Sequence, residues 1–217
     1  MAYPEEVEEI RTRMRNAFAV IYLGLLSIIQ GVALAALFGK ADSMLSRHLF
    51  HLPQLILSLG IFLAIVAVWN QYQMGVMLYA WTAELFDAFI PFTIGIFEFG
   101  MISALEYGAS AVLLADGLLL LVGIAAFEQQ YYQLRRNTKA APFLQQLNRG
   151  FRAADIWSCV VGAAIALGSA AAIGRWAPNP TGDLIGSFVL VALALSHLTR
   201  EVYQWRIVLQ RLDALAA

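Results

Sequence analysis

Six stretches of the chain stay apolar for long enough to cross a bilayer, and the polar residues gather between them. A helix through a ~30 Å hydrocarbon core needs about 20 mostly apolar residues. Runs of that kind cover residues 17–38, 49–69, 78–101, 110–127, 156–173 and 184–198. The connections are short except for 128–155, a basic connector reading EQQYYQLRRNTKAAPFLQQLNRGFRAAD. Its mixture of charges, aromatics and leucines predicts partly helical structure at the membrane surface. The segment APNPTGD, 177–183, is a turn between the last two runs. The pattern predicts an all-α polytopic membrane protein, with residues 1–217 forming a single six-helix transmembrane domain.

Composition agrees with that class. Of the 217 residues 60% are hydrophobic and 13% charged, about half the charge of an ordinary soluble domain. The formal net charge of −1 supplies no basic field for nucleic acid. What charge there is has a direction. Arg11, Arg13, Arg15, Arg135, Arg136, Lys139, Arg149, Arg152, Arg200, Arg206 and Arg211 fall on one side of a six-span topology, and only Lys40, Arg47 and Arg175 on the other. The positive-inside rule then places both termini in the cytoplasm. The N-terminal segment is too polar for a signal-peptide core, and the first apolar run reads as a retained span. Trp69, Trp81, Trp157, Trp176 and Trp205 stand near the expected interfaces.

Ionisable groups inside spans are costly and point to function. Glu84, Asp87 and Glu98 sit on the third run within roughly 60° of one another at ~100° per residue. Pro91 between them frees the backbone carbonyl one turn earlier. The row reads either as a cation-attracting or proton-carrying stripe, or as carboxylates at the two interfaces. Asp116 lies well inside the fourth run, beside Gly117. It predicts either a helix-to-helix polar contact or a cation or proton site.

The first run carries Gln30 and a stripe of small residues, Gly24, Ser27, Gly31 and Ala35, which favours close helix approach. Ile21, Leu25, Ile28 and Ile29 lie on neighbouring faces. Repeated around an oligomer axis, such side chains form an apolar ring that gates by dewetting; in a simple bundle they pack or face lipid. His48 and His51 read as interfacial anchors, with no third ligand to complete a metal site. The lone Cys159 and the absence of HExxH, GxSxG and phosphate-loop patterns give no sign of an enzyme, a bound metal or a cofactor.

The segment WNQYQMGVMLYAWTAELFDAFIPFTIGIFEFG, 69–100, resembles the bacterial relatives of the endolysosomal potassium channel (transmembrane protein 175 family). The features shared are Trp69, Asn70 and Tyr72 at the end of the second span, then Pro91, Phe92 and Thr93 in the third. Arg11–Arg15 followed by Ala17 and Phe18 resembles the start of the family's first helix. The Phe-Ser-Asp motif is absent, since Ala19 and Val20 follow Phe18. The resemblance implies a homotetramer in a bacterial or archaeal plasma membrane. The first helix would line the pore, with Leu25, Ile28 and Ile29 by position at its constriction, and monovalent cations would be conducted. Three functions therefore stand as expectations: a homo-oligomeric cation channel, a proton- or cation-coupled secondary transporter, and a scaffold or sensor in which the basic segment 134–152 meets lipid or a partner protein.

Overall fold

The computed structural model describes residues 4–78, 85–136 and 142–216. These form six α-helices: α1 Pro4–Ser46, α2 Leu52–Leu78, α3 Leu85–Ala104, α4 Ala109–Arg136, α5 Pro142–Trp176 and α6 Pro180–Ala216. A single 3-10 turn, Leu105–Tyr107, joins α3 to α4, and no strand occurs among the described residues. Every helix contains a segment long and apolar enough to span a membrane. The chain is a multi-pass α-helical membrane protein.

Most helices run past the apolar segments that announce them. The expected connector 128–155 is helical on both sides: Glu128–Arg136 extend α4, and Pro142 already opens α5. The sixth span is expected at 184–198, and α6 continues to Ala216. A buried row explains the extension. Ser187, Leu190, Ala194, Glu201, Gln204 and Val208 all face the interior of the bundle, and their spacings of three, four and seven keep them on one side of a helix. Polar residues continue a core-facing stripe that apolar residues begin.

Contacts between distant segments show that the helices alternate in direction. Lys40 Nζ lies 3.0 Å from Glu106 Oε1, Arg47 also meets Glu106, and the Ala109 N–H donates to Asp183 Oδ1 at 2.8 Å. These contacts define one end, which the charge rule assigns to the outside. Asn70, Tyr131, Asp155 and Glu201 gather at the other, cytoplasmic end. Within the bundle α4 packs along α5 and α3, α6 packs on α2 and α5, and α1 lies against α2 and α3.

The outer half has a largely apolar core. Leu57, Ile61, Met101, Leu105, Ala109, Val112, Leu113 and Leu190 are fully buried there. Small residues let the helices close around it. A Cβ added to Gly186 would stand 2.6 Å from the Ala109 Cβ and 2.7 Å from Ile173 Cδ1, closer than non-bonded carbons pack. Gly186→Val is therefore expected to destabilise the protein by about 1–3 kcal/mol through overpacking. A lowered midpoint of thermal unfolding in detergent checks this. Gly24, whose added Cβ meets nothing within 4 Å, is the control, and Gly24→Ala should leave the midpoint unchanged or raise it.

Candidate functional site

The Asp116 side chain lies at about the same depth in the bundle as the buried Glu98 of α3, which faces Gln30. Asp116 is seven residues from the outer end of α4, or ~10 Å along the helix axis. Gly117 beside it lets α5 approach: an added Cβ there would meet Leu167 Cγ at 2.6 Å. The carboxylate is only 5% exposed, and its Oδ2 has no hydrogen-bond partner. Buried polar atoms are paired in the great majority of cases, so an orphaned carboxylate oxygen singles out Asp116 as a candidate, as it does Glu98.

Asp116 opens into a cavity of about 100 Å³ that reaches through the middle of the bundle to its cytoplasmic end. Apolar side chains such as Ala64, Ile94, Leu119, Leu120 and Leu193 wall the stretch next to Asp116. Further in, the lining turns polar with Gln71, Tyr72, Gln130, Arg200 and Glu201. Both amide atoms of Gln71 lack partners. The Tyr22 and Tyr72 rings meet at a centroid distance of 6.0 Å and bring α1 to the wall.

A polar network closes the cytoplasmic end. Asp155 on α5 accepts hydrogen bonds from Tyr131 on α4 and, at 2.8 Å, from Gln204 on α6. Arg200 lies 3.2 Å from the same carboxylate, donates to Ser158, and stands 5.5 Å over the Phe127 ring. Glu201 accepts from Asn70 on α2 at 2.9 Å and sits 3.9 Å from Arg200. Four helices are thus joined through one half-buried guanidinium and two buried carboxylates. Sequence reasoning misses this network, because there Arg200 counts only as an orientation charge. The spacing of His197, Glu201 and Gln204 on the core-facing stripe of α6 is the signal that would have found it.

The other expected residues divide. Glu98 is 0% exposed and faces Gln30, itself 4% exposed, across the α1–α3 contact, yet no side-chain oxygen or nitrogen of either completes a hydrogen bond. Glu84 lies outside the described residues, as does the side chain of Asp87. Pro91 is buried within an unbroken α3, and the Thr93 hydroxyl donates to the Phe89 carbonyl at 2.9 Å. Along α1, Ile21 and Ile28 are 68% and 65% exposed on the outer surface, Leu25 and Ile29 are half-buried, and Gln30 points inward. The proposed constriction residues therefore do not share one face with Gln30. Among the described residues no group of three metal-ligating side chains comes together.

No family model matches the chain, and no curated protein and no solved structure is significantly similar to it. Function must therefore be read from the chemistry of the site. Arg200 is engaged by Asp155 and lies close to Glu201, so it does not serve Asp116. The cavity has an acid towards its outer end, apolar walls beyond it, and a polar stretch towards the cytoplasmic side. Such a space attracts positive charge and strips it of solvent by degrees.

Proposed function

We propose that the protein is a coupled secondary transporter that carries cations across a bacterial or archaeal plasma membrane, with Asp116 as the binding acid. The observation that carries this reading is the unpartnered carboxylate oxygen of Asp116 towards the outer end of a cavity inside a single chain. Fully buried leucines and isoleucines separate Asp116 from the outside, and the Asp155–Arg200–Glu201 network stands between the cavity and the cytoplasm. A barrier on each side of a central site is what alternating access requires. Opening one barrier at a time passes a bound cation without leaving a continuous pore.

The reading predicts transient, saturable currents when reconstituted protein on a solid-supported membrane meets jumps in potassium, sodium, protons or tetramethylammonium. Absence of current for every cation, including organic ones, overturns it.

A second reading keeps the resemblance to the transmembrane protein 175 family, in which a tetramer conducts potassium along the first helix. Its support is the outward face of α1, where the exposed Ile21 and Ile28 accompany Gly24 and Gly31, neither of which has any atom near its missing Cβ. Assembly of α1 around a four-fold axis would turn that face into a pore with apolar rings. Unsaturating potassium flux from a purified tetramer, reduced by Ile28→Asn, would favour it over the carrier.

A further inference from the structure

We infer that the substrate of this cavity is a short alkylammonium, bound with its ammonium on Asp116 and its hydrocarbon along the apolar walls. The inference rests on the carrier reading and names the solute that reading leaves open.

The acid end selects charge. Asp116 Oδ2 is buried without a partner, and a carboxylate offers only acceptors. The matching group brings N–H donors and positive charge together. An ammonium brings three donors and no acceptor, so nothing on it is left opposing the carboxylate. The one permanently cationic side chain among the described lining residues, Arg200, sits some twenty residues along α6 from its outer end, ~30 Å away along the axis against ~10 Å for Asp116. Its charge is met by Asp155 and Glu201.

The walls select the group attached to that charge. Hard inorganic cations are held by six or more oxygens, and next to Asp116 the cavity supplies Ala64, Ile94, Leu119 and Leu193 instead. A potassium or sodium ion there would lose its hydration and gain a single carboxylate. An alkyl chain gains from the same walls, because apolar burial is its main source of affinity. An anion would be opposed by Asp116, and a neutral alcohol would donate one hydrogen bond but leave the charge of the carboxylate unbalanced.

Volume sets the length. A cavity of roughly 150 Å³ accommodates benzene, and this one measures about 100 Å³. That volume includes the polar stretch, so a chain of about four carbons behind the nitrogen is the upper bound. Methylammonium is too small to use the walls. A hexyl chain must push into the polar stretch near Gln71 and Glu201.

Titration calorimetry of the full chain in detergent, with methyl-, ethyl-, butyl- and octylammonium chloride at constant ionic strength, tests the assignment. Affinity should rise about fourfold per methylene as far as butyl and then level off. Asp116→Asn, if it still unfolds cooperatively, should weaken butylammonium at least tenfold. Ala194→Leu, which fills the apolar stretch and keeps the acid, should reverse the preference in favour of methylammonium. Butanol and butyrate should not bind. No saturable binding of butylammonium to the native chain, equal affinity in Asp116→Asn, or displacement by equimolar potassium overturns the proposal.

The two readings separate cleanly. Asp116-dependent currents with potassium or protons, but no alkylammonium binding, remove the substrate and leave the carrier. Asp116-dependent butylammonium binding without current for any cation keeps the site and removes the carrier.

Discussion

Replacing Asp116 with asparagine is expected to lower cation-evoked current in reconstituted membranes at least tenfold while leaving the fold intact. Asparagine keeps the volume of the side chain and so preserves the close approach of α4 to α5 at Gly117, where Leu167 already fills the space. It removes the charge. A hydrogen bond to a charged group contributes about 1.5–3 kcal/mol, and each 1.4 kcal/mol is a factor of ten; loss of that contact alone gives roughly ten- to hundredfold. The variant should also melt no lower than the native chain, because burying an unpaired carboxylate in a membrane is costly and the amide is easier to bury. Activity lost with stability retained or raised would identify a residue kept for binding. Unchanged current would exclude Asp116 from the transport path.

Arg200→Met is expected to have the largest effect on stability. Methionine fills much of the same space, but Asp155 and Glu201 would then face each other without the guanidinium between them. Removing one partner from a buried ion pair typically costs about 3–5 kcal/mol. Tyr131, Gln204 and Asn70 still donate to the two acids, which places the expected loss near the lower end of that range. The unfolding midpoint in detergent would read it. The triple variant Arg200→Met, Asp155→Asn, Glu201→Gln removes both stranded charges and should recover most of the loss. If the single variant is as stable as the native chain, the network does not hold the cytoplasmic ends of α2, α4, α5 and α6 together.

The six membrane-crossing helices are legible in the sequence because length and hydropathy are local properties of the chain. Their full extents are not. Hydropathy falls once Arg200, Glu201 and Gln204 enter the window, so α6 reads as ended where its interior stripe in fact continues to Val208. Asp116 stands out on its own, since a lone acid amid leucines is conspicuous. Its cavity does not, because the walls come from helices far apart along the chain.

Gln30 and Glu98 illustrate the same limit. Each is visible as a polar residue in an apolar run, but sequence spacing says nothing about two residues on different helices facing one another. Within one helix, spacing is informative. Gln30 follows Ile28 by about 200° of helical rotation, so the two belong on opposite sides of α1, as observed.

The outer rim is tied in several places: Glu106 holds both Lys40 and Arg47, Asp183 caps the first N–H of α4, and Gly186 lets α6 touch Ala109. The cytoplasmic rim centres on the Arg200 guanidinium, with Tyr131, Gln204 and Asn70 hydrogen-bonded to its two acids and Arg152 meeting Glu128 between α5 and α4. In the proposed carrier, opening of the cytoplasmic side would pivot about the outer rim. A swing of ~10° about the tied rim displaces a point ~30 Å below it by ~5 Å, enough to draw Arg200 on α6 away from Asp155 on α5. The same swing moves the level of Asp116 by less than ~2 Å. The first motion of the cycle should therefore be large where the solute enters and small where it is gripped.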